Sequence, residues 1–366
     1  MDFGSTIVLI EAHVPRVRCA VHGVHTAGVP WARPESWFTY AFEEQLTWLC
    51  VHACRSVVAQ LMRVDWKTVG PVIARVYADL AANKRSLFDG LVNIGIDETS
   101  YKKGQKYVTV VVDHDRNRVV WVGKNHGKQV LEEFFSLLTT EQKDAIRCVT
   151  ADGASWIAKC VEQHCPNAVR TLDPFHTVMW ATEALDEVRL QIWRETRGDR
   201  LKDRSKRGGN RGLYAPGASA VKDSRFALLK NPENLTETQK VRLAFVAVHH
   251  PVLHRAYRMK EHLRLLLKLP LEEAEAELNR WLAWAQRCRI PVFVELGRKI
   301  RRHREAILDT IRIGLTNARI EAINNKIKVI NRMGYGFRNL DNFIAVIMLR
   351  CGDIRPGLPG RAPRPA

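Results

Sequence analysis

No stretch of this 366-residue sequence stays apolar for the roughly 18 residues that a membrane span requires. The opening residues, MDFGSTIVLIEAHVPRV, start acidic and reach no A-x-A-like cleavage site, so no signal peptide is read there. Eight cysteines are scattered without paired spacings, which argues against a disulfide framework and suits a reducing cytosol. Acidic residues are in short supply: 39 Asp and Glu face 57 Lys and Arg, leaving a net charge of +18. That excess points to a polyanionic partner, of which nucleic acid is the commonest. What remains is ordinary for a soluble globular protein, with 46% hydrophobic and 26% charged residues and length for two or three domains.

Residues 1–40 alternate apolar and polar (IVLIEAHV, then RVRCAVHGVHTAGV) and read as a small β-rich module ending near Pro30–Pro34. Within it Cys19-x-x-His22, with His25 nearby, has the form of half a zinc ribbon, which needs four ligands. Residues 41–85 change to a helical pattern. SVVAQLMRVDWKTVGPVIARV has helix-turn-helix spacing, with Ala59 where two helices touch, Leu61 and Val64 around the turn, and Val69 anchoring the second helix. Asp65 caps that helix and puts Trp66, Lys67 and Thr68 on its first turn, the part that usually meets the major groove. Arg63 stands where Gly is commonest, and Gly70-Pro71 predicts a kink. A plain helical hairpin is the competing reading.

From residue 92, NIGIDE, KYVTVVVD and RVVWVG form three β-runs separated by short turns, a meander. A helix over Gly127–Leu138 follows, then strand IRCVTAD, helix SWIAKCVEQH and strand AVRTLD. Three antiparallel strands followed by alternating helix and strand is the order of the ribonuclease H-like fold, an α/β class. Residues 174 to about 315 are nearly all helical. They are interrupted by RETRGDRLKDRSKRGGNRG, an Arg-, Lys- and Gly-rich stretch read as a mobile loop that either solvates or grips DNA. The Pro/Gly-rich tail at 351–366 is expected to be disordered.

Three acids carry the chemistry: Asp97 at the end of the first core strand, Asp152 at the end of the fourth, and Glu321 in a late helical pattern. A lone Asp after a strand is more often a turn or helix cap than a ligand. A carboxylate following the hydrophobic run Asn93–Ile96 is costly near a sheet interior unless paired or metal-bound. Oxygen donors of this kind suit Mg²⁺ (or Mn²⁺), and two such ions held by three carboxylates can drive in-line displacement on a phosphodiester. Asn324, Asn325, Lys326, Lys328 and Arg332 recur along the helix of Glu321, where they can hold phosphates. Tyr335-Gly336-Phe337-Arg338 makes a tight turn with an aromatic and a cation to grip an unpaired end.

The segments IGIDETSYKKGQKYVTVVVD, VTADGASWI, LDPFHTV, LLKNPENLT and GLTNARIEAINNKIKVINRMGYGFRNLDNF resemble the transposases of bacterial insertion sequences in the ISL-three family. The resemblance spans about residues 90–350. It implies a DDE triad at Asp97, Asp152 and Glu321 that holds the metal ions. It also implies a ribonuclease H-like core at 90–176 and 313–350, interrupted by a helical insertion at 177–312. Asp173 and His176 match an Asp-x-x-His element and are assigned to support or position DNA. Trp66, Lys67, Thr68, Lys102, Lys103, Lys328, Arg332 and Arg338 form the expected DNA-binding set. The family also carries an N-terminal zinc ribbon before its helix-turn-helix. Here Cys19 and His22 are the zinc candidates and no Cys-x-x-Cys precedes them, so the module reads as partial.

The expectation is a cytoplasmic, nucleoid-associated bacterial transposase. It would act as a homo-oligomer on the terminal inverted repeats of its element and on target DNA. Two rivals stay open: a ribonuclease H-like nuclease or resolvase, which would prefer branched DNA, and a catalytically inactive DNA-binding repressor, which would need no metal.

Overall fold

Runs of Val and Ile set the centre of the computed structural model, which describes residues 2–3, 6–7, 11–34, 36–82, 86–104, 106–206, 216–315 and 318–359. The chain begins with two small hairpins, β1 (Asp2–Phe3) with β2 (Thr6–Ile7), and β3 (Arg16–Cys19) with β4 (Gly23–Thr26). The second hairpin buries little, with Val17, Val21 and Val24 all exposed. The Cys19 Sγ lies 3.4 Å from His22 Nδ1, while His25 turns its ring to the His22 carbonyl at 2.7 Å. Among the described residues no third or fourth ligand joins this pair, so the four-ligand set of a zinc ribbon is not assembled.

Three helices follow: α1 (Tyr40–His52), α2 (Arg55–Met62) and α3 (Trp66–Ala82). Thr39 caps α1 by accepting from the Phe42 N–H, and Asp65 accepts from the Lys67 N–H at 2.7 Å to start α3. Arg63 closes α2 in the left-handed region (φ 55°), the conformation that makes glycine common at this turn position. Ala59 and Val69 are buried as the helix-turn-helix spacing requires, but Leu61 is 63% exposed and does not pack around the turn. Gly70 and Pro71 both lie inside α3, which continues from Trp66 to Ala82. A Cβ on Gly70 would come within 2.6 Å of the Asn342 amide on a helix near the C-terminus.

An ionic cluster pins the preceding segment to these helices. Arg33, 5% exposed, donates to Glu43 (3.1 Å) and Asp79 (2.9 Å), and the fully buried Glu43 also accepts from Arg75 and Ser36. Breaking a buried pair from one side strands the other charge, at about 3–5 kcal/mol. Arg33→Met is therefore expected to destabilise the protein toward the lower end of that range, because Arg75 remains; denaturant titration with unchanged m-value checks it.

The sheet contains β5 (Asn93–Lys102), β6 (Lys106–Asp113), β7 (Arg118–Lys124), β8 (Cys148–Ala151) and β9 (Val169–Leu172) in the order β7-β6-β5-β8-β9. The first three form the antiparallel meander expected from the sequence, and β8 and β9 pair parallel to β5 and to each other. Both faces are covered, which is why the strands read as near-continuous apolar runs. Ile94, Ile96, Val111 and Val149 pack under α4 (Lys128–Ser136) and α6 (Ser155–His164), with the short α5 (Thr140–Ala145) between those helices in sequence. Val108, Val110, Val112 and Val119 face the other way, into a core shared with α1–α3 and with α15 (Ala318–Met333) and α16 (Leu340–Cys351). The helix-turn-helix and the sheet are thus built on one continuous hydrophobic cluster.

Between β9 and α15 lies the helical region: α7 (Pro174–Lys206), α8 (Pro216–Asp223), α9 (Arg225–Leu229), α10 (Glu237–His249), α11 (Pro251–Leu266), α12 (Leu271–Arg287), α13 (Pro291–Arg302) and α14 (Arg304–Ile313). It has its own core around Leu185, Leu253, Trp281 and Phe293. The loop expected over 194–212 is helical as far as Lys206, since Arg, Lys and Glu are good helix formers even without apolar neighbours; residues 207–215 lie outside the described residues. The tail also differs from the disorder expected at 351–366. Ile354 is buried and joins the shared core, while residues 360–366 lie outside the described residues. The protein is a mixed α/β structure with a helix-rich C-terminal half.

Candidate active site

The parallel pairing of β5 with β8 sets Asn93 against Cys148, Ile94 against Val149 and Gly95 against Thr150, a constant offset of 55 residues. Carried two residues further, the same register puts Asp97 opposite Asp152. The β8/β9 pairing has a constant offset of 21, which carries Asp152 to Asp173. Asp152 and Asp173 thus stand one residue past β8 and β9, at the carboxyl edge of those strands. That edge is where ligands bind in open α/β sheets. Asp97 lies midway along β5, which runs on to Lys102 instead of ending near Asp97 as the sequence suggested.

Their environments differ. Asp97 Oδ1 accepts from the Glu98 N–H at 2.7 Å and Oδ2 from the Asn324 amide at 2.6 Å. Burial pushes the Asp97 carboxyl above its ordinary range and the charge of Asp152 pushes it further, while the Glu98 N–H, His176 and Asn324 oppose the shift. Asp152 Oδ1 accepts from the Ala154 N–H at 3.0 Å. The nearly buried Asp173 starts α7, accepting from the Phe175 N–H at 3.1 Å. Its other oxygen lies 3.5 Å from His176 Nδ1, and that carboxylate, with Asp152 and Asp97, favours the charged imidazole and raises its pKa. Asp97, Asp152, Asp173 and His176 thus form one electrostatic cluster.

Helix α15 lies along β5 in matched steps. A Cβ on Gly95 would fall on the Ile320 side chain, Asn324 binds Asp97, and the Asn331 amide donates to the Tyr101 carbonyl at 2.6 Å. Two strand residues advance about 6.7 Å and four helical residues about 6 Å, so Gly95/Ile320 and Asp97/Asn324 meet as successive rungs. On one flank of α15 the Arg319 guanidinium reaches the His114 carbonyl at the end of β6. Glu321, about 200° further round the helix, lies on the other flank of α15 from Arg319.

Glu321 is exposed on the first turn of α15 and does not join the aspartates: among the described residues no group of three His, Cys, Asp or Glu is gathered closely enough to hold a metal. The donors present still suit a hard divalent ion. Two carboxylates are aligned side by side, and the buried Asn324, 6% exposed, leaves its Oδ1 without a hydrogen-bond partner.

The remaining sequence-nominated residues divide into surface and core. Trp66, Lys67, Lys102, Lys103, Asn325, Lys326, Lys328, Arg332 and Arg338 are exposed, Thr68 is half-buried, and Asn324 faces Asp97 rather than solvent. In the turn after α15, Tyr335 is 89% exposed, whereas Phe337 packs on Phe343 (4.8 Å) under the Arg55 guanidinium (4.6 Å) and is not free to stack on DNA. Sequence reasoning missed Glu98, whose carboxylate accepts from the Gly127 N–H at 3.2 Å and whose pKa burial raises. The doublet Asp97-Glu98 was the available signal. It also missed Arg170, whose guanidinium donates to the Asp152 carbonyl at 2.6 Å; no sequence pattern marks it.

Comparison with known proteins gives the chain's relatives. A family described as "Transposase" matches residues 94–347, and the "Helix-turn-helix domain of transposase family ISL3" matches residues 29–77, a span that includes Arg33. The transposase for insertion sequence element IS1557 of Mycobacterium tuberculosis is 45% identical over 371 residues, covering 100% of this chain and 83% of that protein. The transposase for insertion sequence element IS1001 of Bordetella parapertussis is 28% identical over 309 residues, covering 83% of this chain and 70% of that protein. With helix-turn-helix and transposase regions both matched, the chain belongs to the ISL3 family of insertion-sequence transposases.

Proposed function

We propose that this chain cleaves and joins DNA at the ends of its own element through Asp97, Asp152 and Glu321, on a ribonuclease H-like core. The observation that carries the reading is the parallel β5/β8 register, whose continuation brings Asp152 at the carboxyl end of β8 beside Asp97 within β5, with Asn324 of α15 bound to Asp97. The three carboxylates would hold Mg²⁺ or Mn²⁺, two ions by preference. With the ions bound, the site gains the chemistry that activates a water or a 3′-hydroxyl and steadies the leaving oxygen. Asn324 keeps Asp97 oriented. Asp173 fixes the first turn of α7 and favours the charged form of His176 beside the acids, where the imidazole can position a phosphate. Glu321 completes the set by closing in from its flank of α15 when DNA and metal arrive.

The exposed first turn of α3, with Trp66, Lys67 and Thr68, would read the terminal inverted repeats, while Lys102, Lys103, Lys328, Arg332 and Arg338 grip phosphates without reading sequence. Acting on two ends together calls for a homo-oligomer on DNA. The test is cleavage of a duplex carrying the inverted repeats that flank this gene, with Mg²⁺ and with EDTA. Metal-dependent nicking at the repeat boundary is expected; preference for a branched junction of unrelated sequence would instead make the protein a resolvase, and end binding without cleavage a repressor. Lys67→Ala combined with Trp66→Ala should weaken binding to the repeats by about 1–3 kcal/mol for each base edge no longer read, with less change on unrelated duplex, measured by anisotropy.

A further inference from the structure

The run Arg298-Lys299-Ile300-Arg301-Arg302-His303-Arg304 ends α13 and begins α14, far from the candidate site in sequence. Its members divide by partner. Arg298 pairs with Glu295, Arg304 with Glu275 and Glu305, and Arg312 further along α14 with Asp309. Lys299, Arg302 and His303 make no such ion pair among the described residues, and Lys299 and His303 turn toward Trp180. Lys299 Nζ sits 3.7 Å from the centre of the Trp180 ring, and the His303 ring lies 5.4 Å from it. Trp180 in turn covers the residue after Asp152: a Cβ on Gly153 would come within 2.6 Å of its indole. On the same side, Arg170 donates to the Asp152 carbonyl while its buried Nε has no partner.

Three basic side chains, Arg170, Lys299 and His303, therefore gather around Trp180, Asp152 and Gly153, and Arg302 is near enough for its charge to act on Lys299 and His303. Burial lowers the His303 pKa, and Arg170, Arg302 and Lys299 lower it further, as expected where positive charge is gathered without enough anion to balance it. Glu183 is the acid that Lys299 feels. Asp152 and Glu183 offset part of this charge, but the buried Arg170 Nε–H still lacks an acceptor, and an anion at the cluster would supply one.

Building on the transposase reading, we propose that Arg170, Lys299, Arg302 and His303 form a phosphate-binding ridge for the DNA backbone next to the scissile bond. The helical region would thereby supply part of the substrate channel. Trp180 fixes Lys299 by cation–π contact and spaces the ridge from the aspartates.

The test is the salt dependence of binding of the full chain to a short duplex of arbitrary sequence. For every phosphate that is no longer neutralised, the slope of log K against log salt falls in magnitude by about 0.9. Lys299→Met with Arg302→Met keeps the apolar stems and should lower the slope by about 2. Arg298→Met with Arg312→Met removes the same charge from ion-paired positions and should leave the slope close to that of the unaltered protein. An unchanged slope in the first pair, or an equal fall in both pairs, overturns the ridge. The measurement needs no cleavage and no metal, so failure of the proposed catalytic triad would leave its outcome readable.

Discussion

Asp97→Asn is expected to abolish metal-dependent cleavage at element ends while leaving end binding within a fewfold of the unaltered protein. The substitution keeps the side chain's volume and still allows Oδ1 to accept from the Glu98 N–H. It removes the negative charge that lets this position hold a divalent ion. Metal ions supply several kcal/mol of charge stabilisation in phosphoryl transfer, so a loss of at least about a thousandfold is expected from about 4 kcal/mol. Asp152→Asn should match it, because the register places the two carboxylates side by side. Glu321→Gln is expected to be as inactive, although Glu321 lies outside the aspartate cluster before substrate binds. Rates are read from single-turnover cleavage of a repeat-bearing duplex, and binding from anisotropy in EDTA. Cleavage at the ordinary rate by any one of the three variants would remove that residue from the proposed triad.

Gly95→Val should damage the same activity without touching a charged group. A Cβ at Gly95 would overlap the Ile320 side chain and come within 2.6 Å of His114 Nε2, which is itself bound to the Thr150 hydroxyl at 2.7 Å. Neither neighbour has room to yield, since Ile320 and His114 are both fully buried. Valine has high strand propensity and would suit β5 in isolation. The expected result is nevertheless destabilisation by about 1–3 kcal/mol from overpacking, together with a larger loss of cleavage. Lifting α15 by even part of a methyl diameter withdraws Asn324 from Asp97 and moves Glu321 away. Comparing the melting temperature with the cleavage rate separates the two effects: a normal rate in a folded Gly95→Val protein would mean that α15 need not lie this close.

Much of the frame was legible because it follows from local patterns. Strands β5, β6 and β7 are alternating or continuous β-branched runs separated by short turns, and α1–α3 show their caps and apolar spacing in the chain itself. The misreadings came where two segments meet. At Gly70-Pro71 the sequence suggested a kink but gave no sign that Gly70 is where Asn342 of α16 approaches. Leu61 was assigned to the turn's packing and is exposed, because the core beneath α2 is already filled by Val58 and Ala59. The Pro- and Gly-rich end looked unable to pack, but Ile354 finds the cluster under α16. Phe337 looked available for DNA and is occupied by Arg55 and Phe343.

By itself the sequence determined most of the element types, the excess of positive charge and the place of Asp152 at a strand end, since each rests on neighbours within a few residues; that β5 continues past Asp97 to Lys102 was not legible there. Only the tertiary structure decided that the continued strand registers bring Asp97, Asp152 and Asp173 together, that Asn324 rather than Glu321 is bound to Asp97, and that Lys299 reaches Trp180 over Gly153. Those relations depend on strand pairing and on the close approach that Gly95 and Gly153 permit. They join residues many tens of positions apart, so no local pattern can encode them.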